Sequence, residues 1–148
     1  MGASADLEII MLSSSRFVVA VHVLSLLARN AGKGPMCSSA IAESVGTNPV
    51  VIRRMMSELE KASLVSSTAG RSGGFELSRG ACDISLACVY AAVENDTVFR
   101  MHKVDPAADC PVACQLEKIL APRLREAEMA LTRSLSNTKL SEVATSMN

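Results

Sequence analysis

Two groups of residues have the types and spacing to do chemistry. Thr47, Asn48, Pro49, Val50, Arg53 and Arg54 fall in the first turns of a predicted helix. From such a position an Asn carboxamide can pair with adenine edges, and an Arg guanidinium with guanine edges or phosphate. The same residues would also serve as the solvated face of a small helical domain. Cys110 and Cys114 form the second group. An i, i+4 pair at a helix N-terminus has Cα atoms about 6 Å apart, so a disulfide is sterically possible with some helix distortion. The helix dipole there favours the reactive thiolate, which Asp109 beside it opposes. Two small residues packing the first turn are the alternative. Cys37 could cross-link to a partner chain, and His22, on a polar helix stripe, reads as a surface or interface residue.

The elements that must hold these residues follow from capping and periodicity. Residues 1–10 show no strong period and read as a leader without regular structure. A first helix begins at Ser13-Ser14-Ser15 and stops at Asn30-Ala31-Gly32. It places Ser15, His22, Ser25 and Arg29 on one stripe and Val18, Val21, Leu24 and Leu27 on the other. A short helix from Ser38 or Ser39 closes at Gly46. Thr47 or Asn48 caps the next helix, with Pro49 at its first position. Its buried stripe is Ile52, Met55, Met56 and Leu59, leaving Val50, Arg53, Arg54, Ser57 and Lys61 exposed. Two helices joined by a tight Gly turn are a helix-turn-helix. Leu64–Ser67 and Gly74–Leu77 then read as a β-hairpin with a flexible basic tip, and that order is a winged helix. Arg71 at the tip, beside Ser72, is placed to reach a minor groove or a phosphate. Gly70, Gly73 and Gly74 would let the backbone approach a duplex closely. Ser38 and Ser39 are placed to meet phosphates.

Ser85 caps a helix from Leu86 to Glu94. After an irregular stretch, Pro111 opens a long helix that Pro122 should kink or split. Its apolar stripe is Val112, Leu116, Ile119, Leu120, Leu124, Ala127, Leu131 and Leu135. A span of about 39 Å exceeds what a small winged helix needs for its own core, so part of the stripe is expected to pack against a second copy. A short helix, Lys139 to Thr145, ends the pattern. The expected fold is mainly α: a winged helix-turn-helix with a hairpin wing and a long C-terminal dimerisation helix. Its divisions are a leader (1–10), a DNA-binding domain (11–80) and a helical linker, sensor and dimerisation region (81–148).

The 148 residues are 49% hydrophobic and only 3% aromatic, with no Trp and eight Met. That composition suits helices packed on helices and excludes intrinsic disorder. No window approaches the ~18 apolar residues of a membrane span, and no basic start precedes an apolar segment as in a secretory signal. The expectation is a cytoplasmic protein with five reduced cysteines, whose odd number and irregular spacing make no disulfide framework. The net charge of zero conceals eight Lys/Arg against four Asp/Glu over residues 12–80, a basic half that could face a polyanion. No His-Glu metal motif, Gly-x-Ser-x-Gly or strand-to-helix phosphate loop is present, so no enzyme is expected.

Gly70-Arg71-Ser72-Gly73-Gly74-Phe75-Glu76-Leu77-Ser78-Arg79 resembles the wing signature of the Rrf-type (IscR-, NsrR- and CymR-like) bacterial transcription regulators. Ser15-Arg16-Phe17 and Ile84-Ser85-Leu86, leading into Val89–Glu94, match as well, so the resemblance covers nearly the whole chain from Met11. Thr47–Arg54 and Cys110-Pro111-Val112-Ala113 look most like a subgroup without an obvious iron–sulfur ligand set. The resemblance implies a homodimer joined by the long helix that binds double-stranded DNA, with Arg16 added to the DNA-contacting set. Cluster-binding members carry three cysteines in the loop before the long helix, whereas residues 95–109 here carry none. His102, Cys110 and Cys114 fall short of the four ligands a two-iron cluster wants, so no cofactor is expected. The combined expectation is a DNA-binding repressor that responds to thiol oxidation. The alternative is a helical dimeric interaction module that regulates a partner enzyme without DNA.

Overall fold

The computed structural model describes residues 3–94, 97–101, 103 and 110–146, with side chains from Ser15 onward except that of Cys114. The order is α1 (Ala3–Arg29), α2 (Ser38–Val45), α3 (Pro49–Lys61), β1 (Val65–Thr68), β2 (Gly74–Leu77), a 3-10 turn (Ala81–Asp83), α4 (Leu86–Val93), α5 (Pro111–Ser136) and α6 (Leu140–Thr145). A mainly helical chain with one antiparallel hairpin and a long C-terminal helix is the expected fold class.

Helix α1 begins at Ala3, ahead of the serine run, so the expectation of an unstructured leader is corrected for residues 3–10. Ala, Leu, Glu, Ile and Met there are compatible with continuing the helix backwards. The stripe reading of α1 is corrected too. Ser25 is buried, Val18 is 61% exposed, and the fully buried positions are Ala20, Val23 and Leu24. Because α2, α4, α6 and β2 all pack on α1, its buried surface is wider than one stripe and takes in Ser25.

Periodicity placed α3 correctly: Ile52, Met55, Met56 and Leu59 are all buried. Its cap is Asn48, whose side-chain oxygen accepts from the Val50 N–H at 2.8 Å. The preceding helix closes on Gly46 in the left-handed region, with the Thr47 N–H bonded to the Ala42 carbonyl at 2.9 Å. At the far end of α3, Ser63 takes the position that glycine usually fills (φ 57°), and the Leu64 N–H bonds back to the Leu59 carbonyl. Helix α2 starts at Ser38, as expected, with Cys37 as its N-cap.

The hairpin pairs Val65 with Leu77 through Thr68 with Gly74, one residue later on its first strand than expected. The loop before α2 adds a bridge, Met36 to Phe75, with reciprocal bonds of 3.0 and 2.8 Å. A Cβ on Gly74 would come within 2.3 Å of the Met36 carbonyl oxygen, so only glycine allows this contact. A second bridge, Ser85 to Lys139, ties the start of α4 to the start of α6. Ile84, Val89, Val93 and Leu140 thereby join the core of α1, α2 and α3, and packing runs straight across residue 80.

Pro122 neither splits nor ends α5, which is continuous over 26 residues. Pro122 and Lys118 are both exposed, so water can satisfy the carbonyl that loses its partner.

Replacing Ser63 with Gly should relieve the left-handed strain and stabilise the fold by about 1 kcal/mol. Thermal unfolding should show a melting temperature raised by about 2–4 °C.

Candidate nucleic-acid interface

The outward face of α3 presents Val50, Arg53, Arg54, Ser57 and Lys61, all exposed. Asn48 is exposed as well, and its cap uses only the side-chain oxygen, leaving the amide donors free to pair. Arg53 donates from Nη1 to the Ser38 hydroxyl at 3.2 Å, joining the recognition helix to the first residue of α2. Pro49 and Thr47 are half-buried within the turn, while Ser39 is exposed.

Helix α3 also carries two carboxylates, and both are held by neighbouring elements. Glu58 forms an ion pair with Arg16 on α1. Glu60 accepts from the Ser67 N–H at 3.2 Å and from its hydroxyl at 2.7 Å on β1. Sequence reasoning missed both contacts, which fix α3 against α1 and the wing. The signal was two acids on a helix otherwise expected to meet a polyanion. Arg16, placed in the DNA-contacting set by resemblance, is engaged inside the domain instead, with its side chain 40% exposed.

The wing tip closes through a Gly73 N–H bond to the Gly70 carbonyl at 3.1 Å. Gly70 has φ 102°, and a Cβ on Gly73 would strike the Thr68 carbonyl oxygen at 2.0 Å. These two glycines therefore make the tight tip that holds Arg71 and Ser72 out in solvent.

Along α5 the apolar stripe is largely uncovered. Val112 is 70% exposed, Ile119 67%, Leu116 38% and Leu131 37%. Ala127 is exposed, and Leu120, Leu124 and Leu135 are half-buried.

Cys110 is exposed, immediately before Pro111 at the start of α5. The side chain of Cys114 and all of His102 lie outside the described residues. Among the described residues, no three His, Cys, Asp or Glu side chains come together to hold a metal. Those residues therefore do not by themselves fit an iron–sulfur cluster.

Cys88, which does not match the ligand positions of cluster-binding members, has a neighbour that sequence reasoning did not identify. The buried Ser85 caps α4 and places its hydroxyl 3.2 Å from the Cys88 sulfur. That bond holds the Cys88 thiol below its ordinary pKa, aided by the Arg79 charge and opposed by burial. Ser-x-x-Cys at a helix start was the available signal.

A helix-turn-helix whose second helix exposes Asn48, Arg53 and Arg54, followed by a paired hairpin, defines a winged helix-turn-helix. The chain is 37% identical over 131 residues to YwnA of Bacillus subtilis, named as an HTH-type transcriptional regulator, covering 88% of this chain and 95% of YwnA. A crystal structure described as that of a DNA-binding protein is 36% identical, with TM-score 0.68, over 86% of this chain and 97% of that one. CymR of B. subtilis, the global cysteine regulator, shares the fold at 22% identity and TM-score 0.65, over 90% of this chain and 95% of CymR. Residues 13–146 match the Rrf2 family model, described as iron-dependent transcriptional regulator, and the chain belongs to that family of transcriptional regulators.

Changing Ser85 to Ala should cost about 1 kcal/mol through removal of the cap. It should also raise the Cys88 pKa, so less thiolate is present at neutral pH. With the other four cysteines replaced by Ser, alkylation of Cys88 by iodoacetamide should then slow.

Proposed function

We propose that this regulator acts as a homodimer that binds double-stranded DNA sequence-specifically and represses transcription in the cytoplasm, with no catalytic step. The observation that carries the reading is the division of charge on α3. Glu58 and Glu60 are tied to α1 and β1, so the exposed face offers Asn48, Arg53 and Arg54 without a competing free carboxylate. In this reading α3 enters the major groove, with Asn48, Val50, Arg53 and Arg54 at base edges and Thr47 and Pro49 shaping its approach. Ser38 and Ser39 meet phosphates at the start of α2. Arg71, with Ser72 and Gly73, meets the minor groove or backbone at the wing tip. Arg16 acts on DNA indirectly, by holding Glu58.

Val112, Leu116, Leu120, Leu124, Ala127, Leu131 and Leu135 are the dimer surface. The exposure of Val112, Leu116, Ala127 and Leu131 in one chain supports this, since a second α5 would remove them from water. The dimer would set two recognition helices about 34 Å apart, or a multiple of that. Oxidation of Cys110 and Cys114 at the base of that helix is the proposed release signal. The exposure of Cys110 supports access by an oxidant. Peroxide should weaken DNA binding reversibly in the parent, and Cys110→Ser with Cys114→Ser should abolish the response; an unchanged response would make the pair structural.

Changing Arg53 and Arg54 to Ala should weaken specific binding by about 1–3 kcal/mol for each base edge left unread. Arg71→Ala should weaken binding evenly across sequences and reduce the salt slope by about 1. Unchanged affinity in these variants would favour an interaction module acting on a partner enzyme, which the net charge of zero supports. Replacing Leu120 and Leu131 with Glu should give monomers in sedimentation; an intact dimer would refute the α5 interface.

A further inference from the structure

Between α4 and α5 lies a cavity of about 290 Å3, room for about ten waters. Tyr90 and Glu94 line it from α4, Glu128 and Leu131 from α5, and Thr97 and Val98 from the segment between them. Glu94 and Glu128 bring two carboxylates to this space, and no basic side chain is among the described residues that line it. One oxygen of Glu94 is buried with no hydrogen-bond partner among the described residues. A buried acceptor in that state carries a desolvation cost that an entering donor recovers. Glu128 accepts from the Phe99 N–H at 3.5 Å, which ties the segment over the cavity to α5.

We propose that this cavity is a binding site for a small organic cation carrying an ammonium group. The ammonium would donate to Glu94 and Glu128, with the Tyr90 ring as an aromatic face for the charge and Val98 covering its carbon chain. Two carboxylates with apolar walls suit such a ligand better than a bare metal ion, which wants more oxygen ligands. The local potential agrees. Burial raises the Tyr90 pKa, and the charges of Glu94 and Glu128 raise it further.

The position makes the site an effector site, a role that rests on the DNA-binding reading above. The Tyr90 ring packs edge-on against Phe17 of α1, with centroids 5.6 Å apart. The residue before Phe17 is Arg16, which holds Glu58 on the recognition helix. A ligand against Tyr90 therefore acts two contacts away from α3.

The chain has a single tyrosine and no tryptophan, so its ultraviolet emission reports on this cavity alone. 1,4-Diaminobutane should change Tyr90 emission saturably at matched ionic strength and neutral pH, where both its amines are protonated. The neutral butane-1,4-diol should not. Glu94→Gln and Glu128→Gln should each weaken the amine response roughly tenfold or more. No saturable response to the diamine, an equal response to the diol, or undiminished binding in the double variant would overturn the site. This readout uses no DNA, so it fails or succeeds independently of the Arg53 and Arg54 test. If the amine binds, DNA affinity should shift by about fivefold or more; an unchanged affinity would overturn the effector role.

Discussion

Enclosure of α1 is the constraint on which the rest of the structure depends. Ala20, Val23 and Leu24 have no solvent exposure, because helices α2, α4 and α6 and the second wing strand all pack on the same helix. Burial at about 25 cal/mol per Å2 rewards each of these contacts separately, but they share one surface. Moving α1 would disturb the turn, the wing and the C-terminal helices together. The ion pair from Arg16 to Glu58 sits on the edge of this arrangement. It is partly exposed and worth little to stability, and it links α1 to α3 beside the apolar core. Ser25 shows the cost of enclosure, since its hydroxyl is buried without a partner among the described residues.

The polar contacts of α3 divide its surface by chemistry as well as by periodicity. Its apolar stripe faces the core, its acids face neighbours that can donate to them, and its arginines face outward. A helix meant only to be soluble has no need for this third division. Helix α5 presents the opposite case, an apolar stripe that the described residues leave largely open beyond its contact with α4. One face thus suits a polyanion, and the other suits another apolar surface.

What the sequence made legible was set by local rules. The Asn48 cap, Pro49 at the first position, the Gly46 turn and the four buried positions of α3 depend on residues within a few places of one another, and each was readable. The burial of Ser25 and the exposure of Val18 depend on which elements approach α1 from elsewhere, and no period in α1 encodes that. Pro122 does not split α5, because proline reports a missing bond but not whether water can replace it. In the candidate interface, Asn48, Arg53, Arg54 and Arg71 were readable from type and spacing and are all exposed. The internal engagement of Arg16, and the Glu60 contact with Ser67, needed knowledge of which elements meet. The contact of Cys88 with Ser85 escaped notice because metal-ligand spacing gives no weight to a hydroxyl three residues away.

The bridge from Ser85 to Lys139 bears on how the chain is made. Leu140 contributes a fully buried side chain to the same core as Leu24 and Ile52, yet the ribosome adds it after the whole of α5. While α5 is being synthesised, the reading head lacks this part of its core, and α1 keeps an open apolar flank. Such long-range closure slows folding and exposes apolar surface in the meantime. Completion of the core therefore waits for the emergence of α6. A nascent chain halted before Leu140 would display helices α1 to α5 without the element that seals them, a natural target for chaperones and proteases.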